Sequence, residues 1–197
     1  MQTFLPDSDF KTSAEILDKR RCWKQVVEAK QLLCNLHAEN LPEDWKLSKD
    51  YIFRKRLNYP ITQMWKGYEE LLKHYYNIFL FHCKREHNIN TKLSFFIDCI
   101  WTNIIGPYSN PYDVEDNVFI NILTTSKFFY KKDIGNSLPK WLGNEKFHAS
   151  HRSNLLRKKP EFYLKYNLKE NPNDPYIWVN NNGEFYTKIK KQINIII

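Results

Sequence analysis

"TSAEILDKRRCWKQVVEAKQLLCNLHAE", residues 12–39, decides the fold class of this chain. Thr12 and Glu15 have the S/T-x-x-E spacing of a capping box, in which two side chains satisfy backbone N–H groups that a helix start leaves unpaired. Behind them Cys22, Val26, Ala29, Leu33 and Leu36 recur at i, i+4, i+7, i+11 and i+14, one face of an α-helix. The spacing predicts a long amphipathic helix from Thr12 to about Glu39. Its polar flank is basic, with Lys19, Arg20, Arg21 and Lys24, and Glu28 lies one turn beyond Lys24.

The same period continues outward. From Pro60, the residues Met64, Tyr68, Leu71, Tyr75 and Phe79 form an apolar stripe that predicts a second helix to about Glu86. Thr91–Ile105 is apolar at helical spacing and reads as a third, more buried helix ended by Gly106 and Pro107. Residues 40–59, holding Pro42 and running up to Pro60, read as a connection with a short helix or turn. Residues 106–137 concentrate turn chemistry around a segment from Val114 to Phe129 that suits a helix. After Pro139, "HASHRSNLLRKKPEFYLKYN", residues 148–167, predicts a short basic helix, with Pro160 opening a further turn. "YIWVNNNGEFYTKI", residues 176–189, sets β-formers either side of Asn182-Gly183 and predicts a small hairpin. The expected fold is mainly all-α: one compact helical domain over residues 1–197, with a small C-terminal β-hairpin.

Lysine and arginine number 30 against 22 acidic residues, and the resulting charge of +8 favours polyanionic partners. AT-biased codons would produce the same lysine-rich composition, so charge alone does not select nucleic acid. Aromatic residues at 16% supply a packed core, which excludes a disordered chain. "MQTFLPDSDF" has neither a basic leader nor a long apolar run, and no stretch approaches the roughly 20 apolar residues of a membrane span. An intracellular protein is expected. Cys22, Cys34, Cys83 and Cys99 form no C-x-x-C pair and read as free, mostly buried thiols.

No G-x-S-x-G elbow, Walker loop or H-E-x-x-H helix is present. His148 and His151 at i, i+3 and Cys83 and His87 at i, i+4 are spaced for metal ligation, but neither pair has further partners at recognisable spacing, so neither a metal nor a cofactor is expected. Arg20, Arg21 and Lys24 share a broad helix face that can grip phosphates, although such a face is more often merely solvated. Trp65, Tyr68, Trp141, Phe162, Tyr163, Tyr166 and Trp178 can stack on bases, but the core is the default for each.

Three stretches carry a resemblance: "MQTFLPDSDFKTSAEILDKRRCWKQVVEAKQLL", "MWKGYEELLKHYY" from Met64, and "HRSNLLRKKPEFY" from His151 with "PYIW" following. Together they resemble a family of mostly uncharacterised bacterial proteins distantly similar to the phage pyrimidine-dimer DNA glycosylases, and the resemblance implies insertions near residues 40–59 and 90–137. The resemblance implies a small helical DNA-repair enzyme, a glycosylase and abasic-site lyase, that flips a nucleotide out of duplex DNA. It attacks the sugar with its N-terminal amine, forming an imine that leads to strand cleavage. An α-amine, with a pKa of about 7.7–8.0, is partly neutral at physiological pH and suits this role.

In that family the amine belongs to a threonine exposed by loss of the initiator methionine, whereas here Thr3 lies behind Gln2. The resemblance therefore implies the amine of Met1, or that of Gln2 or Thr3 after processing, or no such chemistry. The family's helper glutamate falls at Arg21 in the closest register, and Glu28 is the nearby carboxylate that can substitute as acid or base or simply pair with Lys24. Double-stranded DNA is the implied partner, met by Arg20, Arg21, Lys24, His151, Arg152, Arg157 and Lys158. A non-catalytic nucleic-acid-binding protein on the same scaffold is the alternative.

Overall fold

Asp18 divides the helix expected over residues 12–39 into two. In the computed structural model, which describes residues 2–96, 138–180, 182–189 and 192–195, α1 spans Phe10–Ile16 and α2 spans Lys19–Leu36. Leu17 and Asp18 are extended, and the Asp18 side chain accepts from the Arg21 N–H as the N-cap of α2. The start of α1 also differs from the capping box expected at Thr12. Asp9 is the N-cap, and its side chain accepts from the Thr12 N–H at 2.7 Å. The apolar phase survives both changes, since Cys22, Val26, Ala29 and Leu33 are all buried.

The second expected helix is also two. The short helix α5, Pro60–Trp65, is separated from α6, Glu69–Arg85, by Gly67, whose φ of 83° is open to glycine at little cost. Between α2 and α5 lie α3, Glu43–Lys46, and α4, Lys49–Phe53, as short helices within the expected connection. Residues 91–96 are not helical, contrary to the apolar spacing of Thr91–Ile105. The reason is a clamp from α6: the Asn77 amide donates to the Phe96 carbonyl at 2.7 Å and accepts from the Phe96 N–H at 2.9 Å. The rest of that segment, the stretch Val114–Phe129, Cys99 and Met1 lie outside the described residues.

The basic segment forms α7, Glu145–Lys158, and Pro160 opens α8, Pro160–Tyr163, which runs into a 3₁₀ turn at Leu164–Tyr166. The expected hairpin is present as β1, Ile177–Val179, and β2, Phe185–Ile189, with Val179 opposite Phe185. Its connection is longer than a two-residue turn, because the Asn180 carboxamide accepts from the N–H groups of Asn182 and Glu184 and holds a wider loop. A third strand, β3, Gln192–Ile195, pairs antiparallel with β2 and was not expected. The fold is mainly α-helical with this small sheet at its C-terminal end.

α2 packs along α6, and α1 crosses the same helix. The core between them is aromatic: Phe10 meets Tyr75 edge-on at 5.1 Å, and Trp65 meets Trp141 at 4.9 Å. Trp65, Trp141 and Tyr163 are fully buried, so the default assignment of the aromatics to the core holds for these three. No helix among the described residues is long and apolar enough to cross a membrane.

Candidate functional site

Residues 2–6 run through the interior between α2, α6 and α7 with no strand beside them. Their buried backbone groups therefore need side-chain partners. The Gln2 N–H donates to Glu28 Oε2 at 2.9 Å and the Phe4 N–H to Gln25 Oε1 at 2.8 Å, two acceptors that a helix sets on one face at i, i+3. The Tyr75 hydroxyl donates to the Phe4 carbonyl at 3.2 Å and to Gln25 Oε1 at 3.0 Å. From α7, His151 Nδ1 accepts from the Leu5 N–H at 3.0 Å, and Arg152 donates to the Pro6 carbonyl at 2.7 Å. Thr3 is enclosed, and its hydroxyl accepts from Trp65 Nε1 at 3.1 Å.

The two histidines take opposite tautomers. His148 Nε2 accepts from the Gly143 N–H, so its Nδ1–H donates to the Leu5 carbonyl at 2.8 Å. His151 accepts at Nδ1, which leaves its proton on Nε2, 2.9 Å from the Tyr176 hydroxyl. Burial holds both imidazoles below their ordinary pKa, His151 well below it, with the neighbouring Arg152 charge adding to the effect. Sequence spacing presented this pair as prospective metal ligands. The fold spends them on the backbone of Leu5.

Glu28 is 4% exposed and lies beside the amino end of the chain. Burial pushes its carboxyl above the usual range, against the Gln2 N–H and the Lys24 ammonium 3.6 Å away, both of which favour the anion. Tyr176, whose hydroxyl touches His151, also bonds the Gln2 side chain. A buried carboxyl with a raised pKa, hydrogen-bonded at the chain's amino end, is placed to exchange a proton with a group beside it.

The predicted cations separate into two groups. Lys24 and Lys158 are exposed, and the Lys158 ammonium is held below its ordinary pKa by partial burial and by the charges of Arg21, Lys24 and Arg157. The Glu28 charge acts on Lys158 in the opposite sense. Arg20 is exposed on α2. Arg21 is bound to Asp18 and lies over the Tyr163 ring, 5.6 Å from its centroid. Burial opposes the Asp18 anion, but hydrogen bonds from Tyr163 and Arg21 outweigh it and hold the pKa below the ordinary value. Arg157 is exposed, with its guanidinium on Asn154 Oδ1 at 2.6 Å.

The second group faces inward. His151 is fully buried, and Arg152 is clamped by Glu145, by Glu170 at 2.6 Å and by the Pro6 carbonyl. Gln25, Tyr75 and Tyr176 belong to the site and were not singled out from the sequence. Only Gln25 had a local signal, three residues before Glu28 on α2.

Comparison with known proteins bears on this end of the molecule. Residues 1–95, which contain α1, α2 and α6, match the family described as pyrimidine dimer DNA glycosylase. That range includes residues 40–59 and omits the α7 segment. No curated protein and no solved structure matches the chain. The amino-terminal part of this chain is similar to the pyrimidine dimer DNA glycosylases, a similarity that supports a DNA-repair, glycosylase-like role at the level of the family.

Proposed function

We propose that the protein is a DNA glycosylase and abasic-site lyase that acts on duplex DNA through its N-terminal amine, with Glu28 as the proton donor and acceptor. One observation carries this reading: the buried Glu28 carboxylate lies 2.9 Å from the Gln2 nitrogen, within the segment that is similar to the glycosylase family. If Met1 is removed, the Gln2 nitrogen becomes the free amine and already stands against the carboxylate. If Met1 stays, its own amine is one residue further along the same chain. In either case the amine passes a proton to the Glu28 carboxylate and its lone pair attacks the sugar carbon, the base leaves with the electrons of the glycosidic bond, and Glu28 returns the proton to the departing base.

Arg20, Arg21, Lys24, Arg157 and Lys158 would face the phosphates around the amino terminus. His151, Arg152 and Thr3 would act as positioning residues, because their polar groups hold residues 3–6 in place. Extruding a nucleotide costs a few kcal/mol, which pocket contacts must offset. Such a protein would work inside the cell.

The test is to incubate the protein, its N-terminus verified by mass, with abasic and ultraviolet-irradiated duplexes in the presence of borohydride. A covalent protein–DNA adduct is expected. No adduct with either duplex overturns the lyase reading and leaves a non-catalytic nucleic-acid-binding protein. One observation favours that second reading: the nitrogen that meets Glu28 is an amide for as long as Met1 precedes it.

A further inference from the structure

Away from the amino terminus, the start of α2 meets the end of α6. Cys22 Sγ and one ring nitrogen each of His82 and His87 all lie within 4.8 Å of one another. The two imidazoles meet edge-on, with their centroids 5.1 Å apart. We propose that Cys22, His82 and His87 form a zinc site that ties the two helices together.

The state of His87 is the strongest support. Its Nε2 is buried and has no hydrogen-bond partner among the described residues, which leaves that nitrogen available as a ligand. Without a metal, the buried lone pair is an uncompensated loss. The group offers two imidazole nitrogens and one sulfur as donors. Neutral imidazole is the form that binds metal.

Donor chemistry selects the ion. Two imidazoles and a thiolate suit borderline-soft zinc and are poor ligands for magnesium or calcium, which take oxygen. Zn–S of about 2.3 Å and Zn–N of about 2.0–2.1 Å require donor separations of about 3.3–3.6 Å in a tetrahedron, so the three side chains need to close by about 1.5 Å at most. The Cys22 thiol donates weakly to the Phe79 carbonyl at 3.9 Å and accepts from Cys83 Sγ at 3.2 Å, and ligation as the thiolate displaces its proton. Three protein ligands leave a fourth position for water. Access is available because His82 also lines a cavity of about 460 Å³ together with Lys11 and Phe81. The i, i+4 pair Cys83 and His87 suggested by the sequence is not the group assembled here: the fold takes the neighbouring His82 and adds a cysteine from α2.

Tag-free, full-length protein, reduced and stripped with chelator, would be titrated with Co²⁺ and then Zn²⁺. The site predicts one Co²⁺ per chain, with the intense visible bands of tetrahedral cobalt and a thiolate-to-cobalt charge-transfer band, both abolished by Zn²⁺. Cys22→Ser should lose the charge-transfer band. His87→Gln, at a half-exposed position beyond α6, should weaken binding by more than about 100-fold while circular dichroism stays unchanged. Cobalt that is not retained, cobalt bound without the charge-transfer band, or equal affinity in folded His87→Gln overturns the proposal. The wild-type spectrum decides the matter even if a variant fails to fold.

Discussion

The proposed reaction places its proton chemistry on one carboxyl group, that of Glu28. Replacing it by Gln keeps an acceptor for the Gln2 N–H but removes the proton carrier, so trapping on abasic DNA should slow by about 10²–10⁴-fold. Stability should respond in the opposite sense. Because burial raises the folded-state pKa of Glu28, its contribution is fully present below the unfolded pKa and is lost as pH rises through the folded value. Glu28→Gln should therefore be at least as stable as wild type at pH 7, with any advantage vanishing below the carboxylate range; thermal melts across pH would check this. The histidines behave conversely. The depressed pKa of His151 means that its stability contribution is present above the unfolded value and is lost as pH falls towards the folded one. His151→Ala leaves the buried Leu5 N–H without its acceptor and should cost about 1–3 kcal/mol, read from denaturant unfolding at pH 7.5. Glu28 was legible as the carboxylate on the first long helix, but its relation to Gln2 was not. The resemblance put Arg21 where the family has its helper glutamate, and Arg21 is captured by Asp18 and Tyr163.

The helices were found by their apolar faces and mislocated at their ends. A stripe such as Cys22, Val26, Ala29 and Leu33 is phase-continuous across a break, so periodicity joined α1 to α2 and α5 to α6. The breaks are made by single residues with a local reason, Asp18 as a cap and Gly67 at positive φ. Residues 91–96 failed for a non-local reason, since the Asn77 clamp acts across the fold and leaves no trace in helical spacing. Asp18 ties α2 to α8: it caps α2, pairs with Arg21 of that helix and accepts from the Tyr163 hydroxyl of α8 at 2.7 Å. Asp18→Ala should lower stability by about 1–3 kcal/mol, visible as a reduced Tm and as loosened amide protection at the start of α2.

At the scale of the whole molecule, a segment that is similar to a DNA-repair family meets a surface where several cations repel one another. If that surface binds DNA, log affinity should fall linearly with log salt, at a slope of about −0.9 per phosphate neutralised. Lys24→Ala and Lys158→Ala should each reduce the slope by about one. Arg152→Ala should instead destabilise the fold and leave the slope unchanged, because its guanidinium is committed to Glu145, Glu170 and Pro6. The net positive charge was legible in composition, whereas the division between outward and inward cations was not, since burial of α7 depends on the path of residues 2–6 beneath it. The most direct test of amine chemistry is peptide mapping of the borohydride-trapped adduct. The sugar is predicted on the α-nitrogen of the first residue, with adduct yield collapsing in Glu28→Gln; attachment to the side chain of Lys24 or Lys158, or no adduct at all, would contradict it.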